Sequence, residues 1–190
     1  MLLRFLEERE SRREMTTRRG VLAWFCGGCL RPPGAVAERD FVSLCIKCGR
    51  CVASCPYHAI APAGWGHGLA AGTPVIDPEK IPCYLCMACT KVCPTGALRP
   101  VRDEDVAMGT ARIDTDLCYA YQRILCRACV DICPFQGEAI RQNLMLEPLI
   151  DRKSCVGCGL CVPACPAAPK AIRVEARTRG SAAMLGVERT

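Results

Sequence analysis

Cys45-Ile46-Lys47-Cys48-Gly49-Arg50-Cys51-Val52-Ala53-Ser54-Cys55-Pro56 places three cysteines two residues apart, a fourth after a gap of three, and a proline directly behind it. The same spacing recurs at Cys83, Cys86, Cys89 and Cys93 with Pro94, and at Cys155, Cys158, Cys161 and Cys165 with Pro166. A further set, Cys118, Cys126, Cys129 and Cys133 with Pro134, keeps the later steps but stretches the first gap to seven residues. With Cys26 and Cys29 these make 18 cysteines in 190 residues, a level that calls for a disulfide scaffold or a metal protein.

The spacing decides between them. Three thiolates two residues apart, on a loop that wraps a cube of iron and sulfide, can each reach a different iron corner. In the bacterial ferredoxin run the fourth Cys, fixed by its Pro, ligates the neighbouring cluster, so two runs share two clusters. Four runs imply four 4Fe-4S clusters and sixteen ligands. Structural zinc takes two C-x2-C pairs set well apart, and a triplet would crowd one tetrahedron. A disulfide framework has no need of near-identical groups each closed by proline.

The repeat extends past the ligands. Behind each Cys-Pro stands Ala with an aliphatic partner, at Ala59-Ile60, Ala97-Leu98, Ala139-Ile140 and Ala171-Ile172, and an aliphatic-Asp step precedes three of the groups, at Ile76-Asp77, Ile113-Asp114 and Ile150-Asp151. Each unit reads as strand, Cys loop, one-turn helix, Cys-Pro, strand. Proline after the fourth Cys stops the helix and turns the chain back. Units this short cannot bury a face alone, so they are expected to pack in pairs around their clusters. The expected fold is α+β and ferredoxin-like, with four Cys-motif repeats forming two paired modules of two 4Fe-4S clusters each.

Composition and charge agree. Without Cys the apolar content falls from 51% to roughly 42%, with 5% aromatics, too little for a large aliphatic core. Metal ligation then supplies most of the folding energy. The formal charge of +6 shifts to about −2 once sixteen thiolates bind four 2+ cores. The scattered Arg and Lys therefore offset the clusters, and no nucleic-acid partner is implied. No apolar run approaches the length needed to cross a bilayer. Gly66 to Ala71 formally matches a dinucleotide fingerprint, but it follows Pro62 and Gly64 and has no βαβ unit around it, so it reads as a loop. His58 and His67 are not needed as ligands, and a surface role is expected for both.

Between the motifs, Leu30-Arg31-Pro32-Pro33-Gly34-Ala35, Gly68 to Pro74, Ile81-Pro82-Cys83, Lys91-Val92-Cys93-Pro94 and Ala107-Met108-Gly109 resemble the ferredoxin-type proteins of periplasmic nitrate reduction and methylamine utilisation. The long gap in the third motif, with Tyr121-Gln122 inside it, fits the same family. The resemblance covers roughly residues 30 to 174, and it implies an electron carrier rather than an enzyme, with four 4Fe-4S clusters and a membrane-bound ferredoxin-type redox partner. The plain two-residue step of Cys86-Met87-Ala88-Cys89 favours the methylamine-utilisation branch. Electron transfer to periplasmic nitrate reductase and maturation of a partner dehydrogenase are the alternatives.

Motif pairing is left open between a sequential arrangement and a nested one. Four-cluster subunits of the type this repeat resembles are nested. That implies Cys45, Cys48, Cys51 with Cys165, and Cys155, Cys158, Cys161 with Cys55. The inner pair is then Cys83, Cys86, Cys89 with Cys133, and Cys118, Cys126, Cys129 with Cys93.

Thr17-Arg18-Arg19-Gly20 resembles a twin-arginine signal, a route that suits clusters assembled before export to the periplasm; the cytoplasmic face of the membrane is the alternative. The apolar stretch behind it is short. The expected division is a leader over 1–34, a four-cluster domain over 35–174 and a polar tail over 175–190. Cys26 and Cys29 fall in the leader and read as small apolar residues there.

Overall fold

A computed structural model describes residues 29–177. The pair Arg18-Arg19, Cys26 and the tail beyond Arg177 lie outside the described residues.

Short strands bracket the cysteine motifs where the aliphatic steps predict them. Strand β1 (Ile60–Pro62) leaves the first motif and β2 (Pro74–Ile76) enters the second; they pair antiparallel with Ile60 opposite Ile76. Strand β3 (Gly109–Ile113) enters the third motif, β4 (Ile140–Gln142) leaves it, β5 (Pro148–Ile150) enters the fourth and β6 (Ile172–Ala176) leaves that. Both β4 with β5 and β3 with β6 pair antiparallel. A bridge between Ala35 and Leu98 closes the first half as β3 and β6 close the second. Residues 35–98 and 109–176 thus repeat one plan, in which closing strands flank two motifs joined by a hairpin.

The aspartates of the aliphatic-Asp steps have a mechanical role. Asp77, Asp114 and Asp151 each accept a hydrogen bond on Oδ1 from the N–H two residues on, at 3.2, 3.1 and 2.8 Å from Glu79, Asp116 and Lys153. These Asx turns swing the chain out of a strand and into a cysteine loop. The alanines behind each Cys-Pro, Ala59, Ala97, Ala139 and Ala171, are all buried, where a larger side chain would hold the backbone away from the motif.

Among the described residues five short helices accompany the strands: α1 (Glu38–Leu44), α2 (Arg50–Ser54), α3 (Ala88–Lys91), α4 (Ala128–Asp131) and α5 (Cys161–Ala164). The last four are the one-turn helices inside the motifs. Helix α2 packs on α3, and α4 on α5. The larger core gathers Leu30, Phe41, Ile60, Ile76, Leu98, Val106 and Met108, and reaches Val156 and Cys158 of the fourth motif. The smaller one is built mostly from alanine and cysteine around Ile172.

Both domain boundaries expected from sequence fall inside packed structure. Leu30 is buried, and the Arg31 guanidinium donates to Thr73 Oγ1 (2.7 Å) and the Pro74 carbonyl (2.9 Å), pairs with Glu38, and lies 4.6 Å over the Phe41 ring. Residues 30–34 therefore belong with the packed domain and not with the leader. At the other end β6 runs on through Ala176. Among the described residues no helix is long and apolar enough to cross a membrane.

Candidate metal centres

In three of the motifs the residues on either side of the middle Cys adopt left-handed backbone: Lys47 (φ 55°) and Gly49 (φ 73°), Leu85 (φ 55°) and Met87 (φ 54°), Gly157 (φ 76°) and Gly159 (φ 82°). That alternation curls the loop so that successive thiols face one hollow. The third motif departs from it. Its inserted residues form a 3₁₀ turn, Tyr119–Gln122, ended by left-handed Arg123 (φ 65°). Tyr121 Oη then donates to the Pro148 carbonyl at 3.2 Å, tying the longer loop to β5.

The side chains group by neighbouring motifs. A hollow of about 300 Å³ is lined by Cys45, Cys48 and Cys51 together with Cys93, against Phe41 and Leu98. A narrower one, about 30 Å³, is lined by Cys155, Cys158 and Cys161 with Cys133, and by Cys129. Burial pushes the Cys83 thiol up to about 11, and Cys158, Cys86 and Cys55 beside it act in the same direction. Cys129 is likewise pushed up to about 11, by burial and then by Cys118, Cys126 and Cys165. Each triplet thus meets the fourth Cys of its module partner.

The structure does not bring the nested sets together. Cys165 stands with Cys129 and not with Cys45, Cys48 and Cys51; Cys55 stands with Cys83 and not with Cys155, Cys158 and Cys161. Cys133 lines the hollow of Cys155, Cys158 and Cys161 instead of joining Cys83, Cys86 and Cys89, and Cys93 lines that of the first triplet instead of joining Cys118, Cys126 and Cys129. The reason is connectivity: the β1–β2 hairpin folds the first motif onto the second and the β4–β5 hairpin the third onto the fourth.

The electrostatics fit a polynuclear cation. Cys89 is pushed up to about 12, with burial as the main cause and Cys83, Cys86 and Cys51 reinforcing it, and Cys161 is raised by burial and by Cys158, Cys155, Cys129 and Cys133. Such thiols resist ionisation alone, since each thiolate would stand in apolar surroundings beside others of like charge; a cationic core among them reverses both penalties. Main-chain donors already point at sulfur. Ala59 N–H reaches Cys55 Sγ at 3.4 Å, Leu98 N–H reaches Cys93 Sγ at 3.4 Å, and Ala111 N–H reaches Cys155 Sγ at 3.4 Å. At Cys93 burial is outweighed by the Leu98 N–H with the Thr95 and Ala97 amides and the Thr95 hydroxyl, which hold the thiol below its ordinary range. Among the described residues no group of three or more His, Cys, Asp or Glu side chains is arranged to hold a single ion. The sixteen motif cysteines form no disulfide.

Sequence reading missed two features beside the motifs. Arg31 is drawn into the core by partners more than forty residues away, for which a lone Arg before two prolines carries no signal. His67, expected at the surface, meets Cys29 with Nδ1 3.2 Å from Sγ. The fingerprint-like stretch falls in 3₁₀ geometry, Trp65–Ala70, within the β1–β2 connection, as a loop should.

Comparison with known proteins finds repeated 4Fe-4S domains along the chain. The 4Fe-4S dicluster domain model fits residues 44–97, 82–137 and 122–169. The first fit frames motifs one and two, the second motifs two and three, and the last covers most of motif three with motif four. Methylamine utilization ferredoxin-type protein MauM of Methylobacillus flagellatus is 38% identical over 164 residues, covering 80% of this chain and 70% of that protein. The chain belongs to this ferredoxin-type family. MauM of Paracoccus denitrificans is 37% identical (80% and 73% covered), and ferredoxin-type protein NapG of Escherichia coli is 39% identical over 160 residues (76% and 69% covered). A chain of the formate dehydrogenase, heterodisulfide reductase and formylmethanofuran dehydrogenase complex of Methanospirillum hungatei shares 26% identity, covering 70% of this chain and 52% of that one. Its TM-score is 0.25, which carries no argument about the fold. As a family member the chain is an electron carrier built from 4Fe-4S domains, not an enzyme.

Proposed function

We propose that the chain holds four 4Fe-4S clusters, on Cys45, Cys48, Cys51 with Cys93; on Cys83, Cys86, Cys89 with Cys55; on Cys118, Cys126, Cys129 with Cys165; and on Cys155, Cys158, Cys161 with Cys133. The observation that carries this is the repeated meeting of a triplet with the fourth Cys of the motif beside it. Each bound group supplies a one-electron couple, and the protein's part is to hold it, shield it and aim N–H groups at its thiolates. The Ala59, Leu98 and Ala111 amides do the aiming, and each hydrogen bond to a thiolate raises the potential of the couple.

The reading extends to a role in methylamine utilisation beside a membrane-bound ferredoxin-type partner, after export through a twin-arginine route. The MauM relatives and the plain step of the second motif support that pathway. NapG, no less similar in identity, supports service to periplasmic nitrate reductase as the second reading. Anaerobic iron and sulfide analysis tests the clusters: about sixteen iron atoms per chain are expected, and zinc in their place ends the proposal. Deleting the gene tests the pathway. Loss of growth on methylamine with the dehydrogenase fully formed supports electron transfer, whereas an unformed dehydrogenase points to maturation and a defect confined to nitrate respiration to the second reading.

A further inference from the structure

The two modules touch through particular cysteine loops. Cys83 N–H, opening the second motif, donates to the Cys158 carbonyl in the middle of the fourth at 2.9 Å. The Val156 carbonyl accepts from Met108 N–H at 3.1 Å, which seats the same loop on the segment that leads into β3. Close packing is built into the loop's glycines. A Cβ on Gly157 would stand 2.3 Å from Gly109 N, and one on Gly159 would stand 2.5 Å from Pro78 Cβ. The middle cysteine of this fourth loop, Cys158, is buried, whereas Cys48 and Cys86 of the first and second are exposed. Within modules, Cys89 lies near Cys51 and Cys161 near Cys129.

We propose that the Cys83 to Cys158 main-chain contact is the electron bridge between the modules, making the spatial order of motifs one, two, four, three. The second and fourth motifs form the middle of the path; the first and third form its ends, where a donor and an acceptor exchange electrons with the chain. This rests on the ligand sets proposed above. Each transfer moves one electron from a reduced to an oxidised centre, with no bond made or broken and no proton moved; an external one-electron redox protein supplies it and another removes it. The contact itself offers a route of bonds and one hydrogen bond, from Cys83 Sγ through its own backbone and across the hydrogen bond to the Cys158 carbonyl and Sγ. No comparable hydrogen bond joins the first and third motifs among the described residues. The stretched third loop, with Ile124 and Leu125 exposed, is then the outer face of one terminus.

The test uses the full chain, reconstituted anaerobically and reduced with dithionite, read by low-temperature electron paramagnetic resonance. One variant (Cys45→Ser, Cys48→Ser, Cys126→Ser, Cys129→Ser) keeps only the inner centres; the other (Cys86→Ser, Cys89→Ser, Cys158→Ser, Cys161→Ser) keeps only the outer ones. The inner pair is expected to show split, broadened signals from spin coupling, and the outer pair two isolated spectra. Isolated spectra from the inner pair, or coupling in the outer pair, overturn the bridge. Iron in the wild type well below about sixteen per chain overturns the underlying ligand reading instead. A second measurement needs no cysteine change. In the wild-type holoprotein the Cys83 amide is expected to exchange slowly, and Gly159→Ala, which forces the loops apart, should speed it by about tenfold or more. Fast exchange already in the wild type, or no change in the variant, overturns the contact on which the bridge depends.

Discussion

Phe41, Leu30, Ile60, Ile76 and Leu98 fill the first module, whereas the second packs Ala111, Ala120, Ala167 and Ala171 around Ile172. The plan of strands and motifs is the same, so the contrast isolates what side chains add to it. Burying one Phe or Leu contributes on the order of 1.5–3 kcal/mol, and an alanine far less. The first module also has α1 and the Arg31 clamp, for which the second has no counterpart among the described residues. The second compensates with a longer ladder, β3 on β6, where the first closes on a single bridge. Large side chains thus fill more of the first module's interior than of the second's, where the buried aliphatics are Val130, Ile140, Val156, Val162 and Ile172.

Stripping iron is the harshest way to probe that contrast. Chelation of the reduced holoprotein should abolish most ordered structure, since ligation supplies the folding energy. The loss should be uneven. Hydrogen exchange followed by mass spectrometry is expected to show β3 and β6 amides unprotected before those around Phe41 and Ile76. Simultaneous loss, or the reverse order, breaks the comparison; persistence of both modules without iron breaks the whole reading of the fold.

Next in size is Phe41→Ala. The ring is fully buried, touches the Arg31 guanidinium and lines the first hollow, so its removal should cost about 3–5 kcal/mol, seen as a lower thermal midpoint of the holoprotein. Signals of the first-motif centre should weaken while those of the third stay intact. Equal damage to both would show that the modules do not differ in their dependence on packing.

How far the sequence could be read follows from which forces are local. The strand positions and the one-turn helices were legible because Ala-aliphatic and aliphatic-Asp steps act within a few residues, and the structure shows the Asx turns that make them work. Spacing alone likewise marks the sixteen cysteines as candidate ligands. Pairing was not so marked, because it depends on which strands meet: resemblance favoured nesting, yet residues 143–147 leave room only for a tight hairpin between β4 and β5, and that signal pointed to sequential pairing. Left-handed backbone suits the residue type at Gly49, Gly157 and Gly159, but nothing in the residue type signals it at Lys47, Leu85 and Met87. There the loop's shape overrides residue preference.

Met87 sharpens the comparison between loops. It occupies the position that Gly49 and Gly159 fill in the first and fourth motifs, and a side chain in that region costs on the order of 1 kcal/mol. Met87→Gly should therefore leave iron content unchanged and raise stability by about 0.5–1 kcal/mol, less the packing lost with the side chain. A clear loss of stability would mean that Met87 contributes more through contact with the core than its backbone costs.

The smallest expected effect lies on the ladder that stands in for a core in the second module. Arg112 and Arg173 are directly opposite across β3 and β6, like charges in register, and Glu175 pairs with both, at 2.9 and 3.5 Å. All three side chains are well exposed, so the group is screened by water and salt. Glu175→Gln should cost below about 1 kcal/mol, most of it from the unopposed arginine pair and not from a lost bridge. Two readings separate these causes. If repulsion dominates, the cost shrinks in high salt and is cancelled by adding Arg173→Gln; if a directed Arg112 to Glu175 contact dominates, the second change restores nothing. Because β3 and β6 close the module with so little apolar burial behind them, even this small term should register in the exchange rates of the ladder amides, while the same amides around Phe41 stay unmoved.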